Sequence, residues 1–146
     1  MNATASTPHA LIGWRLLALF YDLWPAAALW MLVAALFLLA NGNQPLAAFS
    51  AGQIALWSVC WLTTGAYAIM SWHRGGKTLG MRPWKLRLAG ADGLRPSLRA
   101  LSKRYAVGTV SLLLGGLGFW WAWLDRDRLT WHDRISGTRL VRETAR

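Results

Sequence analysis

Two long apolar stretches dominate the first half of the chain. Residues 11–40 and 49–72 consist almost entirely of apolar side chains, and residues 23–73 contain no Asp, Glu, Lys or Arg. About 20 helical residues are enough to cross a hydrocarbon core of about 30 Å. The pattern therefore predicts two transmembrane helices, at about 11–40 and 49–72, joined by the polar but uncharged linker 41–45.

A third apolar stretch, residues 105–124, is long enough to span a membrane but contains a glycine-rich interruption at 115–118. Each Gly in a helix interior costs about 1 kcal/mol relative to Ala. One interpretation is that the segment breaks there into two half-helices and returns the tail, residues 125–146, to the cytoplasm. The other is an ordinary third span that leaves the tail outside. We favour the broken segment, which keeps the six Arg of the tail in the cytoplasm.

Two short segments that precede and follow this third stretch have the pattern of β-strands. Residues 84–88 alternate apolar and basic side chains, and residues 138–142 resemble a second short strand. We expect the two to pair in a small hairpin or sheet, while residues 96–104 begin a helix with a basic face. The predicted fold class is an all-α membrane protein with two to three transmembrane helices and a small sheet in its loop region, in one domain over 1–146.

The positive charge is concentrated in one inter-helical loop. Only 15% of the residues are charged, against about 25% in soluble domains. The net charge is +10, and residues 73–104 contain nine Lys or Arg against the single Asp92, a net +8. Retention of basic residues on the cytoplasmic side of a membrane accounts for this block, and we expect no nucleic-acid partner. The loop 73–104 and the N-terminus are therefore predicted to be cytoplasmic, in a multi-pass protein of the inner membrane.

The same loop supports an alternative function that does not involve transport. Basic clusters beside a membrane gain about 1 kcal/mol per residue from anionic headgroups. The chain would then be a non-transporting membrane module that binds anionic lipid or a partner protein. The residues expected to form this surface are Arg82, Lys85, Arg87, Arg99, Lys103 and Arg104.

The chain lacks the residues that common catalytic and metal sites need. The single Cys60 excludes an intrachain disulfide and a four-cysteine zinc site. The three histidines, His9, His73 and His132, are too scattered for a convincing metal cluster. No Ser-His-Asp or Cys-His assembly is suggested. We therefore expect no enzymatic activity, no metal and no cofactor.

Arg15 and Asp22 are the only charged residues in the first apolar stretch. A charged side chain at the centre of a membrane helix costs about 2.5–3.5 kcal/mol, so such residues are usually paired, face a cavity or are functional. A spacing of seven residues separates these two by about 10.5 Å of helical rise. We expect each to find a partner in another segment, with Asp125, Asp127 and Asp133 as the acidic candidates. Interfacial snorkelling is the alternative for Arg15.

A proline follows Asp22 within one helical turn. Pro25 lacks an amide hydrogen and displaces the carbonyl of Tyr21, four residues back. A carboxylate beside a freed carbonyl at the edge of a bilayer suits a small hard cation or a proton. The pattern favours an ion or proton role for Asp22, and a structural kink combined with an ion pair is the alternative.

Three motifs in this order resemble the RDD family of small prokaryotic membrane proteins. They are Arg15 with Asp22, the sequence GKTLGM at 76–81 and the sequence WHDRISGT at 131–138, and the resemblance covers roughly residues 10–142. The family is named for one arginine and two aspartates, which match Arg15, Asp22 and Asp133 by position. The resemblance implies a charge cluster of these three near the cytoplasmic interface. The residues expected to support it are Tyr21, Pro25, His132 and Arg134.

The resemblance also implies transport. Members of the family are regarded as transporters, and some are reported to act as sodium/proton antiporters. In this chain Asp22 would alternate between a protonated and a cation-bound form, Arg15 would tune its affinity for the proton, and Asp133 would hold Arg15 or share the proton. The expected partners are membrane lipids, a small monovalent cation and the proton. Two or three short spans provide little material for a pathway, so we also expect a homo-oligomer.

Overall fold

The computed structural model of the protein describes residues 11–143, which form five helices and a two-stranded antiparallel sheet. The predicted cytoplasmic N-terminus and the last three residues of the tail lie outside the described residues. The elements are α1 (Ile12–Ala40), α2 (Ala51–Gly75), β1 (Leu86–Gly90), α3 (Leu98–Leu113), α4 (Leu117–Leu124), α5 (Trp131–Ser136) and β2 (Thr138–Arg142).

The helices α1 and α2 are long and apolar enough to cross a membrane, which confirms the two predicted spans. Most large apolar side chains of α1 are exposed, as expected for a surface that faces lipid. Pro25 lies inside α1 without ending it. Ser50 caps the start of α2, where its hydroxyl accepts a hydrogen bond from the amide of Gln53, and Gly76, with φ 69°, caps its end. A positive φ costs glycine least, which explains why α2 stops there.

The third apolar stretch is broken at the glycine cluster, as the sequence predicted. The helix α3 begins at Leu98, inside the predicted helical segment 96–104, and continues into the third stretch; Ser97 caps its first turn by accepting from the amide of Ala100. Residues 114–116 then separate α3 from α4, and the two helices are bent by 97°. Gly115 and Gly116 both have positive φ, at 68° and 80°. The helix axis can turn there because glycine adopts this conformation without strain.

A small antiparallel sheet joins the inter-helical loop to the tail. Strand β1 pairs with β2 in a register that places Leu88 opposite Leu140. The sheet confirms the prediction, but β1 begins two residues later than expected because Lys85 has a positive φ of 54° and belongs to the preceding turn. Leu86, Leu88 and Leu140 are buried, and the basic residues between them in each strand are exposed.

The sheet packs on the ends of two membrane helices. Its buried leucines form one apolar cluster with Ala18 of α1, Met81 of the loop and Leu101 of α3. The loop and the tail therefore lie at the same end of the helices. This arrangement fits a bent α3–α4 pair that returns the chain to its starting side, and it does not fit an ordinary third span with the tail on the opposite side.

Candidate functional site

A short helix fixes the position of the most buried carboxylate in the described chain. Thr130 caps α5 with its side-chain oxygen, which accepts from the amide of Asp133 at 3.3 Å. The Asp133 carboxylate accepts in return from the amide of Thr130 at 3.3 Å. This reciprocal capping box satisfies two helix-terminal amides. As a result, the Asp133 side chain is held against the first turn of α5 and faces α1 and α3.

Two arginines from different helices converge on Asp133. Nη2 of Arg15 in α1 lies 2.6 Å from Oδ2, and Nη1 of Arg104 in α3 lies 2.5 Å from Oδ1. The three side chains are 5%, 7% and 0% exposed, respectively. Buried charges persist only when they are paired and hydrogen-bonded. Arg15, Arg104 and Asp133 form what we call the buried ion triad, and it connects α1, α3 and α5.

Neutral polar groups complete the surroundings of the triad. Nη1 of Arg104 also donates to the hydroxyl of Thr138 at 2.8 Å, and Nη1 of Arg15 lies 3.5 Å from both the Thr130 hydroxyl and Nε2 of His132. The guanidinium of Arg104 lies 5.6 Å from the centroid of the Trp72 ring. The triad is thus tied to α2 and β2 as well as to its own helices.

Burial and the two arginines together set the protonation of Asp133 and His132. Burial by itself raises the pKa of the Asp133 carboxyl, but the guanidiniums of Arg104 and Arg15 outweigh burial and hold this pKa well below its usual range. Burial, followed by the charge of Arg104, lowers the pKa of His132 well below its usual value. Asp133 is therefore ionised and His132 neutral at physiological pH.

The lowered pKa of His132 predicts that mild acid destabilises the protein. In the unfolded chain His132 binds a proton below about pH 6.5, whereas the buried ring does not. The free energy of unfolding therefore decreases as the pH is lowered below about 6.5, by about 1.4 kcal/mol per pH unit. Asp133 contributes stability that is present above its unfolded pKa of about 3.9 and is lost only at lower pH. Thermal unfolding in detergent between pH 7 and pH 5 measures the first slope.

The slope is compared between wild type and His132→Gln. We expect His132→Gln to flatten the slope between pH 6.5 and pH 5. The slope is a better criterion than the absolute stability, because His132 packs on Phe119 with ring centroids 4.7 Å apart and its replacement also changes packing. An unaltered slope in His132→Gln would contradict the neutral state of the buried ring.

Asp22 lies apart from the triad and has a different set of partners. Its carboxylate accepts hydrogen bonds from the hydroxyl of Tyr67 at 2.9 Å, the hydroxyl of Thr78 at 2.5 Å and the amide of Gly80 at 2.9 Å. Within residues 11–143, Asp22 forms no salt bridge. The structure therefore brings Arg15 and Asp133 together but not Asp22, and the predicted cluster of three is divided between two places.

Two partners of Asp22, Thr78 and Gly80, belong to the loop that follows α2, and the third, Tyr67, lies within α2. The hydroxyl of Tyr67 also accepts from the amide of Leu79 at 3.0 Å. Gly80 approaches α1 so closely that a Cβ atom built on it would lie 2.1 Å from the carbonyl oxygen of Ala18. Asp22 thus fixes the segment 78–80 against α1. This contact explains why Thr78 and Gly80 of the GKTLGM sequence are needed at their positions.

A cavity of about 320 Å³ connects the two places. Its charged or titratable lining residues are Arg15, Asp22, Arg104 and His132. Its aromatic lining residues are Trp30, Trp61, Tyr67, Trp72, Tyr105 and Phe119. Within residues 11–143 no group of three or more His, Cys, Asp or Glu side chains has the arrangement of a metal site. The cavity thus combines a few charges with a largely aromatic wall.

The four residues predicted to support the site lie in different surroundings. Only His132 adjoins the triad. Tyr21 is exposed and packs edge-on against Trp84, with ring centroids 5.7 Å apart, and Pro25 remains inside α1. Arg134 points away from the triad and bridges Asp125 at 2.6 Å and Asp127 at 3.1 Å. Those two acids, which were candidate partners for α1, are therefore engaged elsewhere.

Arg104 requires a correction. It was predicted to belong to the lipid-binding or partner-binding surface, whereas it is 6% exposed and paired with Asp133. The other five residues of that set, Arg82, Lys85, Arg87, Arg99 and Lys103, are exposed. The spacing within α3 carried a signal, because Arg104 follows the buried Leu101 by three positions and precedes the buried Ser111 by seven, on one helical face.

The model of the RDD family matches residues 9–137, which include Arg15, Asp22 and Asp133. No curated protein and no solved structure matches the chain.

Proposed function

The chain belongs to the RDD family, and from this membership we propose that it is a membrane transporter that exchanges a monovalent cation for protons at Asp22. The family match and the two apolar helices establish the coarser statement, that this is a membrane protein. The proposal adds that a monovalent cation and protons are exchanged in opposite directions, and that Asp22 binds both in turn. It includes no covalent chemistry and no catalytic residue.

The observation that carries the proposal is the difference between the buried Asp133 and the half-buried Asp22. Asp133 is neutralised by two arginines. Asp22 faces the cavity, accepts hydrogen bonds from neutral donors and forms no salt bridge within residues 11–143. A carboxylate in a membrane helix is costly unless a counter-charge or a proton neutralises it. A mobile cation and a proton can each fill that role, and they exclude one another.

The hydrogen bonds of Asp22 provide a way to couple its charge to movement. The hydroxyls of Tyr67 and Thr78 can rotate and offer lone pairs to a bound cation. The amide of Gly80 can only donate, so it loses most of its attraction when the carboxylate is neutralised. We therefore propose that neutralisation of Asp22 loosens the segment 78–80 from α1, while the buried ion triad holds the surrounding helices in place.

The setting of this exchange is also part of the proposal. The basic loop and the tail share one end of the helices, and the excess of Lys and Arg there favours the cytoplasmic side of the inner membrane. Two long helices and one bent pair provide few walls for a pathway, since transporters are commonly built from repeated bundles. We accordingly propose that the functional unit is a homo-oligomer.

The test is cation-driven proton flux in liposomes that contain the purified protein. We expect wild type to release protons when a sodium gradient is imposed, and Asp22→Asn to reduce the initial rate at least tenfold, because the amide does not titrate and lacks the negative charge that attracts a cation. Asp92→Asn is the matched control, since Asp92 is exposed in the loop after β1. Its rate should equal that of wild type.

Two outcomes would contradict the proposal in different ways. Flux that is unchanged in Asp22→Asn would leave transport intact and remove the role of Asp22. No flux from well-folded wild type would instead favour the second candidate function, a module that binds anionic lipid or a partner protein. The observation in favour of that candidate is the exposure of Arg82, Lys85, Arg87, Arg99 and Lys103 at the end of the helices.

A further inference from the structure

We propose that the cavity also binds a lipophilic organic cation, of the quaternary or protonated amine class, and that such a cation can take the place of sodium in the exchange at Asp22. The inference deepens the proposed function and rests on it for the transport step. Binding itself can be tested separately. The charge and the wall of the cavity carry the inference.

The cavity has more space and more apolar wall than a bare metal cation needs. Its volume is about 320 Å³, whereas a cavity of about 150 Å³ already accommodates benzene. Hard cations take oxygen ligands, and six aromatic residues line this cavity. The space is therefore suited to one aromatic ring or a short alkyl body together with a positively charged head.

Hydrogen bonds made by the polar groups of the aromatic side chains hold this wall of the cavity in place. The indole NH of Trp30 donates to the hydroxyl of Thr64 at 2.8 Å, and that of Trp61 donates to Thr109 at 3.1 Å. The hydroxyl of Tyr105 donates to the carbonyl of Trp61 at 2.8 Å, and the two rings lie 5.2 Å apart. These rings are therefore fixed before a ligand arrives, which lowers the entropy cost of binding.

Aromatic rings attract cations, and one wall residue already does so. The Arg104 guanidinium lies 5.6 Å from the centroid of Trp72, inside the range of a cation–π contact. A quaternary ammonium has no hydrogen to donate and is recognised mainly by such rings and by a nearby carboxylate. Trp30, Trp61 and Tyr105 supply the rings, and Asp22 supplies the carboxylate.

The order of charges along α1 favours a cation over an anion in the aromatic part. Asp22 lies about 12 Å of helical rise from Trp30, whereas Arg15 lies about 22 Å away. Arg15 is also paired with Asp133, while Asp22 forms no salt bridge within the described chain, residues 11–143. A positive head between Asp22 and the rings is therefore nearer to the carboxylate than to the guanidinium of Arg15.

The experiment compares two ligands of similar size and opposite charge. Benzyltrimethylammonium and phenylmethanesulfonate are titrated into the purified protein in detergent, and binding is measured by isothermal titration calorimetry. We expect saturable binding of the cation only, at least tenfold weaker binding in Asp22→Asn, and unchanged binding in Asp92→Asn.

A second pair of variants tests the aromatic wall. We expect Trp61→Leu to weaken binding several-fold and Trp61→Phe to recover most of it, because phenylalanine retains the ring. Circular dichroism confirms that each variant is folded.

The outcomes separate this inference from the proposed function. If sodium drives proton flux but benzyltrimethylammonium neither binds nor drives flux, the organic cation is wrong and the transport proposal stands. If benzyltrimethylammonium binds in an Asp22-dependent way but no cation drives proton flux, the binding site stands and transport is wrong. Preferential binding of phenylmethanesulfonate, or equal binding of the cation to wild type and Asp22→Asn, would overturn the inference.

Discussion

Replacing Asp133 by Asn is expected to lower the free energy of unfolding by about 3–5 kcal/mol, because it leaves two buried arginines without a counter-charge. Both guanidiniums are at most 7% exposed, so water cannot take over from the carboxylate. The new amide can accept hydrogen bonds but supplies no negative charge, and its own NH2 group faces donors. Thermal unfolding followed by circular dichroism in detergent micelles measures the loss.

The matched control is Asp127→Asn, which removes another acid of the same segment. Asp127 is 62% exposed and forms a 3.1 Å bridge to Arg134, itself 52% exposed. Exposed ion pairs are worth about 0–1 kcal/mol, so this variant should remain close to wild type. Equal stability of the two Asn variants would show that the triad is not a buried ion network.

A triple variant separates charge from packing. Replacing Arg15 and Arg104 by Met together with Asp133 by Leu removes all three charges while it keeps apolar volume. Buried ion groups can often be exchanged for apolar side chains at little cost. We therefore expect the triple variant to recover most of the stability lost in Asp133→Asn, and a triple variant as unstable as the single one would assign the loss to packing or hydrogen bonds instead.

Local sequence patterns were sufficient for the elements but not for the contacts between distant segments. The lengths of α1 and α2 and the glycine cluster at 115–118 predicted the spans and the break, because hydrocarbon thickness and glycine conformations act locally. The strand patterns at 84–88 and 138–142 predicted the bounds of the two strands to within two residues. These features depend on neighbouring residues alone.

The division of the charged residues between the buried ion triad and the separate surroundings of Asp22 depends on contacts between distant segments. Arg15 meets Asp133 across 118 positions, and Asp22 meets Gly80 across 58. A list of charged residues predicts that each needs a partner, but it does not say that a backbone amide and two hydroxyls will serve one acid while two arginines serve the other. Arg104 was misassigned for the same reason, since a basic residue in a basic loop usually faces solvent or headgroups.

Gly80→Ala is expected to destabilise the protein by about 3 kcal/mol and to displace the segment around it. The added Cβ would lie 2.1 Å from the carbonyl oxygen of Ala18 and 2.8 Å from the amide nitrogen of Asp22. Both are backbone atoms of α1, which cannot rotate away as a side chain can. The φ of Gly80 is not positive, so the penalty comes from space and not from backbone conformation.

Gly75→Ala is the matched comparison, and the pair tests whether the approach of Gly80 to α1 positions Asp22. A Cβ on Gly75 meets nothing within 4 Å, and Gly75 is the last residue of α2, where Ala is a better helix former by up to about 1 kcal/mol. This variant should be as stable as wild type or slightly more stable, with normal proton flux.

Gly80→Ala should lose flux even at temperatures at which it is fully folded, because the amide that donates to Asp22 has moved. Full stability of Gly80→Ala would mean that the segment 78–80 does not press on α1. Normal flux at reduced stability would mean that the contact serves folding alone.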